Sequence, residues 1–149
     1  MNIHFIKSSG KKEIVAKLEE QFGITNLPYL LIESGKEKIR AFSGSLSKDE
    51  IAKLTEIVNI ESIGLYVIKQ EHDLRLSFDA TQILKEQITK NIIDISKEQY
   101  EQWINGQDLQ IQAQKETLII QYKDDLLGCG KSTGDKITNH VPKERRLKK

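Results

Sequence analysis

The sequence predicts an α+β fold: a small α/β domain over residues 1–70, packed on a β-rich domain over residues 71–149 that carries short helices. Three observations predict it. Apolar residues recur at helical spacing near the N-terminus and then give way to short β-like runs. Four such runs with close turns fill residues 109–141, the pattern of a small barrel or a strongly bent sheet. No Gly/Ser/Pro-rich linker separates the halves, so they are expected to pack closely.

The elements follow in order. Ile14, Leu18 and Phe22 are spaced by four, which predicts a helix over residues 11–22, and Gly23 is its stop. Pro28 precedes an apolar run at 29–33 that reads as a buried strand. Ser34 and Gly35 make a turn, and residues 37–42 read as the returning strand. Ser47 and Glu50 fit a capping box, with the serine accepting from the third helical amide while the glutamate reaches back. The helix that follows is expected to bury Ile51, Leu54, Ile57 and Val58. Residues 60–70 read as a strand crossing towards the second half.

Glu71, His72 and Asp73 form a polar turn, and residues 74–78 alternate as a strand. Asp79 and Gln82 make a second capping pair, ahead of a short helix with Ala80, Ile83 and Leu84 on one face. Residues 91–95 read as a strand. Ser96 and Gln99 are a third capping box; Tyr100, Trp103 and Ile104 then face inward, and Gly106 closes the helix. The remaining strands are expected at 109–112, 117–123, 126–131 and 136–141. Tyr66 and Phe78 fall in alternating strands, where pattern alone does not assign a face.

Composition excludes several classes. No apolar run approaches the ~18 residues of a membrane span. The N-terminus lacks the long apolar stretch of a secretory signal. Cys129 is the single cysteine and cannot form an internal disulfide. A reducing, cytoplasmic setting is expected. His4, His72 and His140 with one cysteine make no Cys/His zinc site. Net charge is +1, but it is uneven: residues 91–127 carry −4 and residues 128–149 carry +5. A basic end of this kind is an electrostatic footprint for nucleic acid. Two of the chain's four arginines, Arg145 and Arg146, lie there. Arginine makes bidentate contacts with phosphate, so their pairing favours a binding role over a solvated tail.

Two catalytic readings fail on the residues. Gly128-Cys129-Gly130-Lys131-Ser132-Thr133 resembles the end of a phosphate-binding loop, but the first glycine of that pattern would fall at Asp125. An acid there repels phosphate, and no helix follows. The glycines are better placed in a barrel strand, where they permit bending or close approach. Cys129 with His140 as base lacks any residue to orient the pair. Trp103 and Tyr100 read as core rather than as stacking platforms.

The second half resembles the PUA-like RNA-binding domain of RNA cytosine-5 methyltransferases of the Sun/Fmu class. The residues that carry this are Leu74-Arg75-Leu76-Ser77-Phe78-Asp79-Ala80-Thr81, then Trp103-Ile104-Asn105-Gly106-Gln107-Asp108-Leu109. Leu126-Leu127-Gly128-Cys129-Gly130-Lys131 and Asn139-His140-Val141-Pro142-Lys143-Glu144-Arg145-Arg146 complete it, so that it spans about residues 72–147. The first half, through residues 29–33 and Lys38-Ile39-Arg40-Ala41-Phe42-Ser43-Gly44, is similar to the pre-PUA domain of ribosome-biogenesis factors. The whole resembles an archaeal stand-alone protein of this two-domain kind. The methyltransferases carry a catalytic domain ahead of the module. The residues here hold no Gly-rich cofactor loop and no cysteine in that region, so the resemblance implies RNA binding without methyl transfer.

The expectation is therefore a non-catalytic RNA-binding protein without cofactor, acting on structured rRNA in ribosome biogenesis or RNA modification. A tRNA-binding accessory factor and a protein–protein adaptor docking through the basic tail are the alternatives. Protein partners from ribosome assembly or RNA modification fit the first reading. The expected RNA rim is Lys131, Lys136, Asn139, His140, Lys143, Arg145 and Arg146, with Arg75 and Lys85 as neighbours. The resemblance adds Gly106, at the turn that lines one side of the RNA groove.

Overall fold

A computed structural model describes residues 4–33, 35–42, 47–54 and 64–147. Expectations for Ile57, Val58, residues 60–63 and the Leu54 side chain lie outside what is described.

Two sheets organise the α+β fold. The first is antiparallel throughout, in the order β1 (His4–Phe5), β2 (Leu30–Glu33), β3 (Lys38–Phe42), β4 (Leu65–Gln70) and β5 (Leu74–Leu76). The second runs β6 (Ile92–Asp94), β7 (Thr117–Tyr122), β8 (Asp125–Ser132) and β9 (Ile137–Thr138), with β6 parallel to β7 and the other pairs antiparallel. It curls into a half-barrel. Among the described residues there are four α-helices: α1 (Ser8–Phe22), α2 (Lys48–Leu54), α3 (Phe78–Ile83) and α4 (Lys97–Ile104).

α1 buries Ile14, Leu18 and Phe22, and ends where Gly23 turns left-handed at φ 84°. Its stripe packs on Leu31, Ile39, Val67, Ile68, Leu74 and Leu76 of the first sheet. The same core continues through Ala80 and Leu84 to Ile119, Leu126 and Cys129 of the second sheet. Polar ties reinforce it: the Gln21 side chain donates to Leu74 O at 3.0 Å and accepts from Leu74 N at 2.9 Å. Both halves thus bury one apolar core. β4 and β5 form a single hairpin across residue 70.

A second core fills the half-barrel. Trp103 is fully buried, and its Nε1 donates to Leu127 O at 2.8 Å, so the indole adds apolar area without an orphaned donor. β7 sends Ile119 to the first core and Leu118 and Ile120 to the second, so the strand is apolar on both faces. Gly130 explains how β8 accepts the indole. A Cβ there would run into Ile137 Cγ2 and stand 2.8 Å from Trp103 Cη2, so those side chains would have to shift. The glycine-rich run is thus a strand shaped for close approach.

Two of the three expected caps form as read. Ser47 and Glu50 exchange bonds of 3.2 Å, and Ser96 and Gln99 make a full capping box. The third is a correction. Ser77, not Asp79, caps α3: its Oγ accepts from Ala80 N at 3.0 Å and its hydroxyl donates to Tyr66 O at 2.7 Å. β5 therefore ends at Leu76, and Phe78 is helical. The face of α3 also differs, with Ile83 45% exposed. Thr81 takes the inward position because its Oγ1 accepts the buried Gly128 amide at 3.1 Å. Residues 109–112 form no strand; Leu109 alone bridges to Ile137.

Candidate nucleic-acid interface

The C-terminal tail is held to the half-barrel by side chains. Asn139 donates its amide to Trp103 O at 2.7 Å and to Gln107 O at 2.9 Å, while its Oδ1 accepts from Val141 N at 2.8 Å. Asp108 accepts from Asn139 N at 2.8 Å. Asn139 is thus committed to closing the end of α4 onto β9, and its side chain has little left for a ligand.

Beyond this latch, Pro142 starts a helical turn at Lys143–Arg145. Arg145 makes a bidentate pair with Asp79, Nε to Oδ1 at 3.0 Å and an Nη to Oδ2 at 3.2 Å. The hydrogen bond and charge of Asp79 push the Arg145 pKa up. Arg146 Nε donates to Val141 O at 3.0 Å, and its guanidinium lies against Gly106. Neither of its terminal nitrogens has a partner among the described residues. Arg146 is therefore aimed by one bond with its bidentate end free.

The other expected residues divide by position. Lys131 is exposed on β8 opposite Thr138. The Thr138 hydroxyl bonds Lys131 O and contacts His140 Nε2, each at 3.2 Å. Lys136 pairs with Asp108 at 3.4 Å, an exposed contact of the weakly held kind. Lys143 is exposed. Lys85 lies in the helical turn Lys85–Gln87, whose Gln87 side chain clasps the backbone of Thr25 and Asn26. That position is apart from the cleft described next.

Arg75 and His140 meet in a cleft of about 220 Å³. Lys38 and Lys69 from the first sheet join them there, with Tyr66 and Phe78 as its aromatic lining. Arg75 pairs with Glu71 at 3.5 Å, yet its Nε is buried without a hydrogen-bond partner. Lys69 is 3.9 Å from Glu37 and donates to Lys36 O at 3.1 Å. Lys38 Nζ lies 5.5 Å from the Tyr66 ring centre. Desolvation pulls the His140 pKa below the usual imidazole value, and Arg75 acts the same way. Burial raises the Tyr66 hydroxyl pKa. Sequence reasoning missed Lys38 and Lys69, because only strand register brings them beside Arg75.

Cys129 is buried in the first core, and desolvation pushes its thiol up to about 12. A neutral, enclosed thiol is a poor nucleophile. Among the described residues, no group of His, Cys, Asp and Glu is arranged to hold a metal ion, and no helix is long and apolar enough to cross a membrane.

Residues 90–147 match the family model of the methyltransferase RsmF PUA domain. The C-terminal half-barrel is thus similar to a PUA domain. The latch at Asn139, the turn at Gly106 and Arg146 all lie within the matched residues. No curated protein matches the sequence. Among solved structures, a conserved PUA domain protein from Thermoplasma acidophilum is similar in fold, with a TM-score of 0.60 at 14% identity over 93% of each chain. That likeness extends through the first sheet as well as the half-barrel.

Proposed function

We propose that this chain is a non-catalytic RNA-binding protein whose PUA-like domain holds structured RNA. The observation that carries the reading is Arg146: a guanidinium fixed over Gly106 by Val141 O, with both terminal nitrogens unpaired among the described residues. Oriented arginine forks suit phosphate, and holding the side chain in place lowers the entropy lost on binding. Exposed Lys131 and Lys143 extend the same basic rim. Folded RNA presents phosphates and 2′-hydroxyls on a shallow minor groove, which a compact barrel with a cationic edge can follow.

Ribosome assembly or RNA modification in the cytoplasm is the setting we favour, with rRNA as the ligand, from the order of a pre-PUA-like half followed by a PUA-like half. The enclosed thiol of Cys129 supports a role without covalent chemistry. The test is fluorescence anisotropy with labelled rRNA and tRNA fragments, with unlabelled competitor, on the wild type and on a Lys143→Ala, Arg146→Ala variant. Tighter binding to rRNA, with a loss of affinity and salt slope in the variant, supports the reading. Preference for tRNA moves the assignment to a tRNA accessory factor. Association with neither turns attention to an acidic protein partner for the tail.

A further inference from the structure

The first sheet carries an arrangement that folding alone disfavours. Lys38 stands directly opposite Lys69, and Lys69 stands directly opposite Arg75. Three cations therefore form one row across β3, β4 and β5. Like charges in directly opposed positions destabilise a sheet. Compensation is thin: Glu37 reaches Lys69 only at 3.9 Å, Glu71 meets Arg75 at 3.5 Å, and Lys38 has only the Tyr66 ring among the described residues. Arg75 Nε is buried with no acceptor among the described residues. A row of this kind lacks an anion.

The cleft over the row limits what that anion is. Its volume of about 220 Å³ lies below the ~300–1,000 Å³ of pockets that enclose a whole small ligand. One phosphate with part of its sugar fits such a space, as a segment of a longer strand. The far wall supplies His140 and Pro142, and the chain continues from Pro142 into Lys143 and Arg146. The chain thus runs from the wall of the cleft straight into the residues of the basic rim.

We infer that the cleft is a second RNA-backbone site, in which Lys38 and Lys69 of the first sheet hold a phosphate together with Arg75 and His140. This rests on the RNA-binding reading and deepens it: the N-terminal half becomes part of the RNA surface rather than a platform. For each phosphate that the protein no longer neutralises, the slope of log K against log salt falls by about 0.7–0.9.

The experiment titrates a fluorescein-labelled RNA stem-loop against the full chain, a Lys38→Gln, Lys69→Gln variant, and a Lys12→Gln, Lys97→Gln control. The control removes the same charge from exposed sites on α1 and α4. Thermal unfolding accompanies each. The cleft variant is expected to bind about tenfold more weakly, with a slope lower by roughly 0.7–0.9, and to be no less stable than the wild type. The control is expected to bind nearly as the wild type does. A cleft variant that binds like the wild type, or a control that loses as much, overturns the cleft site and leaves the RNA reading standing. Wild type that fails to bind the stem-loop overturns both. A parallel titration with inorganic phosphate at matched ionic strength, followed by amide shifts at the cleft, separates a small-anion site: shifts with phosphate and none with RNA also overturn the inference.

Discussion

Arg146 lies against Gly106: a Cβ on that glycine would stand 2.6 Å from the guanidinium carbon. The glycine sits at φ 92°, so it serves both the turn after α4 and the arginine above it. Gly106→Ala is expected to strain the turn by about 1–2 kcal/mol and to lift Arg146 from its place. RNA affinity and salt slope should fall together in an anisotropy titration, to about the level of Arg146→Ala. Unchanged affinity would show that the orientation of Arg146 is irrelevant to binding.

Asn139 should behave as a structural residue. Asn139→Ala removes the bonds to Trp103 O, Gln107 O and Val141 N. Leaving those backbone groups under-satisfied costs about 1–3 kcal/mol, measurable by denaturant unfolding. Weaker RNA binding without lower stability would instead return Asn139 to the contact surface.

His140 predicts a pH dependence. Its pKa is lowered in the folded state, by desolvation first and Arg75 second. The unfolded chain then binds the proton more readily, so this contribution to stability is complete above the ordinary value of 6.5 and is lost as pH falls through the folded value. His140→Gln should flatten that part of the stability profile. On RNA the sign reverses: protonation adds a cation to the cleft, so affinity should rise as pH falls through the same range. Equal pH dependence in wild type and variant would remove His140 from both effects.

Cys129 predicts an alkaline weakness. Its thiol pKa is raised from 9.0 to about 12 in the folded state. Stability from the neutral thiol is full below 9.0 and is lost as pH rises towards about 12. The native protein should therefore resist iodoacetamide at neutral pH and react only on unfolding, as followed by mass spectrometry. Rapid native labelling would contradict the buried position.

Local signals in the sequence predicted local structure well. The spacing of Ile14, Leu18 and Phe22 with Gly23, and the capping boxes at Ser47 and Ser96, each depend on residues within one or two turns. Where two capping residues competed, the pattern misled: Ser77 won over Asp79 because its hydroxyl also satisfies Tyr66 O on the neighbouring strand. The basic rim was visible as a charge excess. Which of its members are free was not, because Asp79, Asp108 and Gly106 reach Arg145, Lys136 and Arg146 only through tertiary closure. The row of Lys38, Lys69 and Arg75 depends on strand register, including an irregularity between Ile39 and Arg40. No run of sequence encodes it by itself.

The most direct test of RNA binding is the dissociation constant of the full chain for a structured rRNA fragment, measured across a salt series with unlabelled competitor RNA. Binding is expected to be tighter than the ~10⁻⁴–10⁻⁶ M of non-specific nucleic-acid association, with log K falling linearly in log salt. Affinity confined to that non-specific range for every structured RNA tested would contradict it.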